Sequence, residues 1–381
     1  MKKSVLILST FMCLCHFSVA IAHDASRQVN KLFRQAVKAE SIPGLSVAVA
    51  DHSGMWARGF GYADLEHKVP MTSKTKLRIG SVAKVFTAAA LMRLYEQGYV
   101  DFNADIREAV PQWPARHAEI TLSDLVSHTS GIRHYVSLEE FYSNVEYAST
   151  LDALNIFKDD DLLFTPGTDI KYSTYAWTLI SAAMESVVEG KNFKQIMAEE
   201  VFTPLNMADT DFDDNGPIIA HRQRAYSYIN GELINSPEVN ASYKYAGGGM
   251  LSTPTDVVTF AMAHINKGFL TSDSLAMLFE EKILVDNIAT GVGIGWFIGF
   301  GQYLEALEQD NGEKNKGYSD LLRIMNEHPH SVMHSGGSVG GESMLILCLE
   351  HEHAVAVVKN VDSSPDADTF SLALRSLDAF Y

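Results

Sequence analysis

Cysteine is scarce in this chain, which has three among 381 residues. Two of them, Cys13 and Cys15, fall in the first 22 residues, so a chain that loses this segment keeps only Cys348 and forms no internal disulfide. Basic residues are also few: 30 Lys and Arg against 47 Asp and Glu give a formal net charge of −17. This balance argues against nucleic acid or an anionic membrane surface as a partner.

Long apolar runs are absent after residue 22, where no stretch of 18 uninterrupted apolar residues occurs. The first 22 residues differ: Lys2 and Lys3 precede an apolar stretch that ends in Ala-Ile-Ala. This pattern predicts a cleaved signal peptide, with a soluble mature chain that starts at His23 and is periplasmic or secreted. An uncleaved anchor is the alternative, and any membrane attachment would then run through this segment alone.

The rest of the chain reads as a globular α+β domain. It is 46% hydrophobic and 20% charged and contains no internal repeat or low-complexity tract. Apolar runs separated by short polar turns predict a β-hairpin over about 47–62 and another over about 343–358, whereas helical periodicity dominates between them. We predict an antiparallel sheet formed from both chain ends and flanked by helices, with an inserted, mostly helical lobe. The predicted divisions are a signal peptide at 1–22 and a catalytic domain at 23–381, with a sheet lobe at about 23–98 and 240–381 and a helical lobe at about 99–239.

The motif Ser-x-x-Lys occurs twice, and its context separates the two copies. Ser73 to Lys76 lies in a charged stretch with no helical periodicity. Ser81 to Lys84 opens an apolar helix that runs to Gly98, a helix-ending residue. A motif that fixes only two residue types is expected about once by chance in a chain of this length, so Ser-x-x-Lys alone is weak evidence.

The position of Ser81 at a helix start has chemical consequences. Residues three apart share a helix face, so Lys84 can reach the Ser81 hydroxyl. A helix N-terminus offers free N–H groups and partial positive charge to a developing oxyanion. Desolvation in an apolar helix lowers the pKa of a lysine, which makes it usable as a base. The helix alone is equally compatible with a capping serine and a surface lysine.

Two further elements favour the catalytic interpretation. The sequence Lys-Tyr-Ser-Thr at 171–174 places Tyr172 just before a predicted helix, and His-Ser-Gly-Gly at 334–337 precedes the closing hairpin. The order Ser-x-x-Lys, Tyr-Ser-x, His-x-Gly-Gly resembles the penicillin-recognising serine hydrolases, in particular the class C beta-lactamase-related branch. Supporting stretches lie at 120–131, 202–210 and 247–256, and the resemblance spans about residues 29–379. In motif it is closest to the mitochondrial beta-lactamase-like proteases and their bacterial relatives.

The resemblance implies a beta-lactamase/transpeptidase-like fold and a role for each motif residue. Ser81 would form an acyl-enzyme, with Lys84 and Tyr172 sharing the proton transfers. Which of the two is the base stays open. The N–H groups of Ser81 and Gly337 would form the oxyanion hole, and the small Gly336 would let substrate lie along the strand edge.

Two departures from the family pattern bear on specificity. Thr174 stands where an Asn often holds the acylamido group of a substrate, and His334 stands where a Lys is usual. A histidine is cationic only at mildly acid pH. Both changes weaken the case for efficient beta-lactam hydrolysis without touching the acylation machinery.

The remaining histidines are predicted to be structural. His128 precedes a Thr-Ser-Gly turn, where a structural hydrogen bond is expected. His328 and His330 fall in a polar loop, and His351 and His353 at a hairpin tip, with no carboxylate or cysteine at a fixed ligand spacing. We therefore predict no metal site and no cofactor.

Two function classes follow. The first is an exported serine hydrolase acting through Ser81 on small-molecule ester, amide or peptide substrates, which include cell-wall peptides. The second is a catalytically weak penicillin-binding sensor or a filament-forming scaffold with the same fold. The joint presence of Ser81, Lys84 and Tyr172 favours the enzyme, because a scaffold has no need of all three. Neither the natural substrate nor the oligomeric state follows from the sequence.

Overall fold

The computed structural model describes residues 24–301, 303, 304 and 317–381. The predicted signal peptide at 1–22 lies outside these residues, so its cleavage stays a prediction. A search of the described helices for one with the length and apolar character of a membrane span finds none.

The strands form one large sheet and two small ones. The large sheet has the order β3-β2-β1-β12-β11-β10-β9 with every pairing antiparallel, and the small sheets have the orders β13-β6-β7 and β4-β8-β5. The strands are β1 Gly44–Asp51, β2 Gly54–Asp64, β3 Val69–Pro70, β4 Leu77–Arg78, β5 Asp211–Phe212, β6 Tyr226–Ile229, β7 Glu232–Asn235, β8 Met250–Ser252, β9 Phe297–Ile298, β10 Ser331–Ser338, β11 Gly341–Cys348, β12 His353–Lys359 and β13 Val361–Asp362.

The helices lie mostly between the two hairpins. The described helices are α1 24–36, α2 Ala83–Glu96, α3 Ile106–Ala109, α4 Leu122–Val126, α5 Leu138–Phe141, α6 Thr150–Ala153, α7 Thr174–Val187, α8 Phe193–Met197, α9 Tyr245–Gly248, α10 Pro254–Met262, α11 Ser272–Leu278, α12 Tyr318–Glu327 and α13 Thr369–Phe380. Short 3-10 turns cover Gly80–Val82 and Leu154–Ile156, and a π-helical turn covers Ala198–Phe202.

The central strands bury different side chains on their two faces. Ala48 of β1 pairs with Ala356 of β12, and these small residues face α10 and the helical interior. Val47 pairs with Val357, and these larger residues face the layer that contains α1 and α13. Because strand side chains alternate between faces, one hairpin sequence supplies both layers of the core.

The architecture confirms the predicted fold class, since β1 from one chain end pairs with β12 from the other and so joins the strands of both ends in one sheet. Apolar residues at helical spacing predict a helix over about 29–40, whereas the structure has one over 24–36 followed by a turn. Pro43 disfavours helical backbone at Ile42, the residue before it, so a helix in this segment ends before β1 begins. Short strands at 226–235 lie inside the segment predicted as the helical lobe, and β6 pairs with β13. The lobe boundaries themselves stay predictions.

Candidate active site

Ser81 sits in a tight turn pressed against β10. The 3-10 turn Gly80–Val82 runs directly into α2. Gly80 has a φ of +50°, and a Cβ on it would stand 2.7 Å from the carbonyl oxygen of Gly337. Glycine is therefore required here both for its conformation and for space. The turn brings Ser81 beside the strand that carries the His-Ser-Gly-Gly sequence.

Lys84 is the buried centre of the site. Its side chain is 0% exposed. Nζ lies 3.1 Å from Ser81 Oγ, 3.1 Å from Thr174 Oγ1 and 2.5 Å from the carbonyl oxygen of Gly247. The second Ser-x-x-Lys copy has no comparable geometry, because Ser73 lies in a turn and the backbone of Lys76 pairs with that of Arg222.

Burial shifts the pKa values of the two proton-transfer candidates in opposite directions. Desolvation, and secondarily the charge of Lys244, hold the pKa of Lys84 well below its usual value. Desolvation raises the pKa of the Tyr172 phenol, and hydrogen bonds with Ser81 and Thr174 offset only part of that rise. The environment thus favours a neutral amine beside a protonated phenol.

Tyr172 is held between aromatic rings and the amine of Lys84. Its ring centroid lies 4.4 Å from that of His128 and 6.4 Å from that of Phe297, with which it stacks. Lys84 Nζ lies 4.9 Å from the centre of the Tyr172 ring. His128 Nδ1 accepts a hydrogen bond of 3.2 Å from the Ser173 backbone N–H, which agrees with the structural hydrogen bond predicted for this histidine. These contacts fix the phenol next to the Ser81 hydroxyl.

His334 corrects an expectation from the sequence. The sequence predicts that His334 is cationic at mildly acid pH. Burial, and secondarily the charge of Lys84, instead lower the pKa of His334 to about 3. Its Nδ1 donates a hydrogen bond of 2.6 Å to the Ser335 carbonyl oxygen, and its ring packs against Phe297. His334 is therefore a neutral cavity wall throughout the mildly acid range.

Gly336 and Gly337 have different surroundings. A Cβ on Gly336 would stand 2.0 Å from the Ile79 carbonyl oxygen and 2.3 Å from Ser343 Oγ, so its size serves the packing of β10 against the Ser81 turn. This differs from the expectation that Gly336 makes room for substrate. A Cβ on Gly337 would meet nothing within 4 Å, and Gly337 lines the cavity with Ser81.

Thr174 also serves a purpose that its motif position did not indicate. It is only 3% exposed, and its hydroxyl faces Lys84 Nζ. Its backbone N–H donates a 3.1 Å hydrogen bond to His134 Nδ1. The Thr174 side chain is therefore not placed to hold the acylamido group of a substrate, because it is buried against the Lys84 amine.

The site opens into a cavity of about 450 Å³. No Lys, Arg, Asp or Glu lines it within the described part of the chain. Its lining residues are Ser81, His128, His134, Ile170, Tyr172, Val292, Phe297, His334, Ser335 and Gly337.

Sequence reasoning missed one residue that lines the cavity, His134, and one that acts on Lys84 through its charge, Lys244. His134 lines the cavity with its pKa lowered to about 4, by burial first and then by the charge of Lys84. Lys244 is buried with Nζ 5.0 Å from the centre of the Phe141 ring, and desolvation lowers its pKa to about 8. A lysine between two tyrosines just before a glycine triplet was the available signal for Lys244. No comparable signal marks His134, whose partner Thr174 is 40 positions away.

Comparisons with known proteins agree with this geometry. The sequence profile of the family described as Beta-lactamase matches residues 29–378. The chain is 28% identical to the serine beta-lactamase-like protein LACTB, mitochondrial, of Bos taurus, covering 91% of this chain and 75% of that protein. Among solved structures it resembles EstCE1, a hydrolase with promiscuous acyltransferase activity (TM-score 0.76, 20% identity, 95% of this chain and 100% of that one). It also resembles the D-amino acid amidase of Ochrobactrum anthropi (TM-score 0.74, 22% identity, 93% of this chain and 98% of that one).

Proposed function

We propose a function for this chain, which belongs to the beta-lactamase family and is a serine hydrolase. It is exported, and it cleaves ester, amide or peptide bonds of uncharged substrates through an acyl-enzyme on Ser81. One observation carries this proposal: the fully buried amine of Lys84 lies 3.1 Å from Ser81 Oγ. Nucleophile and base are then within proton-transfer distance before substrate arrives.

The hydrogen bonds around Lys84 suit a neutral amine that acts as base. The Gly247 carbonyl can only accept, so Nζ donates one proton to it. A second N–H of the amine donates a hydrogen bond to the Thr174 hydroxyl oxygen. In this proposal the amine is neutral, so its lone pair accepts the proton of Ser81 Oγ, which lies 3.1 Å from Nζ. We therefore propose Lys84 as the base, a role that the sequence left open between Lys84 and Tyr172.

The reaction follows from these positions. Ser81 Oγ attacks the substrate carbonyl while its proton passes to Lys84 Nζ. Tyr172, still protonated because burial raises its pKa, donates its phenol proton to the leaving group and is reprotonated from Lys84. Water then adds to the acyl-enzyme carbonyl and gives one proton to the same pair. The bond between the acyl carbon and Ser81 Oγ breaks, the pair returns the proton to Oγ, and the acid leaves.

The oxyanion hole in this proposal consists of the N–H groups of Ser81 and Gly337. Both residues line the cavity, and Ser81 lies at the start of the helical segment that continues as α2. Preorganised N–H donors stabilise the charge that develops on the carbonyl oxygen. Gly80 and Gly336 support the hole by letting the Ser81 turn and β10 approach closely.

The cavity chemistry favours a neutral acyl group. Phe297, Ile170 and Val292 supply apolar wall, and the lining histidines have pKa values well below neutrality. A substrate carboxylate would find no lining cation to offset its desolvation. We therefore favour uncharged esters and amides over carboxylate-bearing beta-lactams.

Steady-state kinetics test this preference. We expect kcat/KM for p-nitrophenyl butyrate to exceed that for nitrocefin at pH 7.5 by at least about tenfold, which equals about 1.4 kcal/mol. His334→Lys is the matched variant. It should lower the ratio of the ester kcat/KM to the nitrocefin kcat/KM, because only the lactam carboxylate gains an ion pair. Equal kcat/KM values for the two substrates in the wild type would contradict the assigned substrate class.

Export rests on the sequence pattern of residues 1–22. The relatives from Bos taurus, Homo sapiens and Mus musculus are named as mitochondrial proteins, so the family does not determine the compartment. N-terminal sequencing of the protein isolated from its own cells tests the proposal. His23 at the N-terminus would support cleavage, and Met1 would contradict it.

A further inference from the structure

Three metal-ligating side chains converge on the sheet face that carries α13. His328 Nδ1 and His351 Nδ1 lie 3.1 Å apart, and each is 3.4 Å from Cys348 Sγ. We propose that this His-Cys-His cluster binds one transition-metal ion of the zinc class. The inference is independent of the proposed hydrolytic function.

The fold assembles the cluster from three separate elements. His328 follows the last residue of α12, Cys348 ends β11, and His351 stands in the turn between β11 and β12. Pairing of Ser331 with Cys348 across β10 and β11 brings the helix end beside the hairpin. A bound ion would therefore tie α12 to the β11–β12 hairpin.

The distances match the edges of a tetrahedral metal site. Zinc binds imidazole nitrogen at about 2.0–2.1 Å and thiolate sulfur at about 2.3 Å. In a regular tetrahedron these bond lengths place two nitrogens about 3.3 Å apart and a nitrogen and a sulfur about 3.6 Å apart. The observed separations of 3.1 and 3.4 Å are each shorter by only about 0.2 Å, so an ion fits with small movements.

Hydrogen bonding alone leaves the cluster incompletely satisfied. A neutral imidazole Nδ1 either donates one hydrogen bond or accepts one, and the thiol has a single proton. Two of the three contacts can then be hydrogen bonds, and the third has no proton of its own. A cation uses all three lone pairs at once, and binding releases the thiol proton to solvent.

Two of the three side chains are buried and one is partly exposed. His328 and Cys348 are both 0% exposed, whereas His351 is partly exposed. The Tyr381 ring packs 4.2 Å from that of His351 and 5.1 Å from that of His328 and covers the cluster from the side. A solvent molecule would complete the tetrahedron.

The cluster is separate from the cavity around Ser81. Cys348 lies three residues along β11 from Leu345, the cross-strand partner of His334. This offset is roughly 10 Å along the strand, and the odd spacing puts Cys348 on the opposite face of the sheet. The ion would therefore stabilise the fold rather than take part in acyl transfer.

Cobalt titration of the metal-free chain tests the proposal, with optical absorption as the readout. We expect one equivalent of Co²⁺ to give a thiolate charge-transfer band and the visible bands of a tetrahedral site, and Zn²⁺ to displace it. Excess Zn²⁺ should raise Tm by at least about 2 °C. Cys348→Ser should abolish the charge-transfer band, and His351→Gln, a milder change at a partly exposed position, should weaken binding at least about tenfold.

His330→Gln is the matched control, because His330 is exposed in the same loop and is not part of the cluster. It should bind Co²⁺ like the wild type. Hydrolysis of p-nitrophenyl butyrate should be unchanged in the His351 and His330 variants, which separates this test from that of the active site. A wild type without the charge-transfer band, or one whose Co²⁺ affinity is unaltered by His351→Gln, would show a hydrogen-bonded cluster only and overturn the proposal.

Discussion

Ser81→Ala is expected to abolish hydrolysis of p-nitrophenyl butyrate, lowering kcat by several orders of magnitude. The variant removes the only atom that we assign to acyl attack and leaves the Lys84 contacts with Thr174 and Gly247 available. Loss of a nucleophile has effects of this size in serine hydrolases. Steady-state kinetics with the purified variant measure the loss.

Ser73→Ala is the control for this prediction, because Ser73 begins the other Ser-x-x-Lys copy but lies in a turn. It should retain nearly the full wild-type kcat. A dead Ser73 variant beside an active Ser81 variant would show that the motif is assigned to the wrong serine.

Removal of either proton-transfer group should lower kcat by about 10²–10⁴. The variants are Lys84→Met, which keeps most of the buried stem without the amine, and Tyr172→Phe, which keeps the ring packing. Because the two groups share one proton path to Ser81, the double variant should lose far less than the product of the single losses. Fully multiplicative losses would contradict a shared path.

The pH profile supplies a second readout for the same pair. The pKa of Lys84 lies well below the usual lysine value, so kcat/KM should rise through that lowered pKa as the amine loses its proton, and fall as pH drops below it. The acid limb should persist in Tyr172→Phe and disappear in Lys84→Met. An acid limb that survives in Lys84→Met would assign the base to another group.

The sequence predicted the parts of this molecule that depend on local patterns. The apolar residues at 47–50 predicted a strand, and that strand is β1. The apolar helix after Ser81 separated the two Ser-x-x-Lys copies, because a helix start places residues i and i+3 on one face. In both cases, neighbouring residues determine the geometry.

The parts that the sequence did not predict depend on contacts between distant segments. The low pKa of His334 comes from burial and from the charge of Lys84, 250 positions earlier. The His-Cys-His cluster was missed because His328 was considered with His330, and His351 with His353, whereas the fold joins His328 to His351 through Cys348. Spacing along the chain does not reveal such partners, since strand pairing brings them together.

The attachment point of a fluorophosphonate probe tests the central claim most directly, because the probe bonds to an activated serine in place of substrate. Intact mass and peptide mapping should find one adduct per chain on Ser81, prevented by excess ester substrate, absent from Ser81→Ala and retained in Ser73→Ala. A sensor that is acylated without turnover would show the adduct but no steady-state hydrolysis. A wild type that takes up no probe, or labelling that persists in Ser81→Ala, would contradict the assignment of Ser81 as the nucleophile.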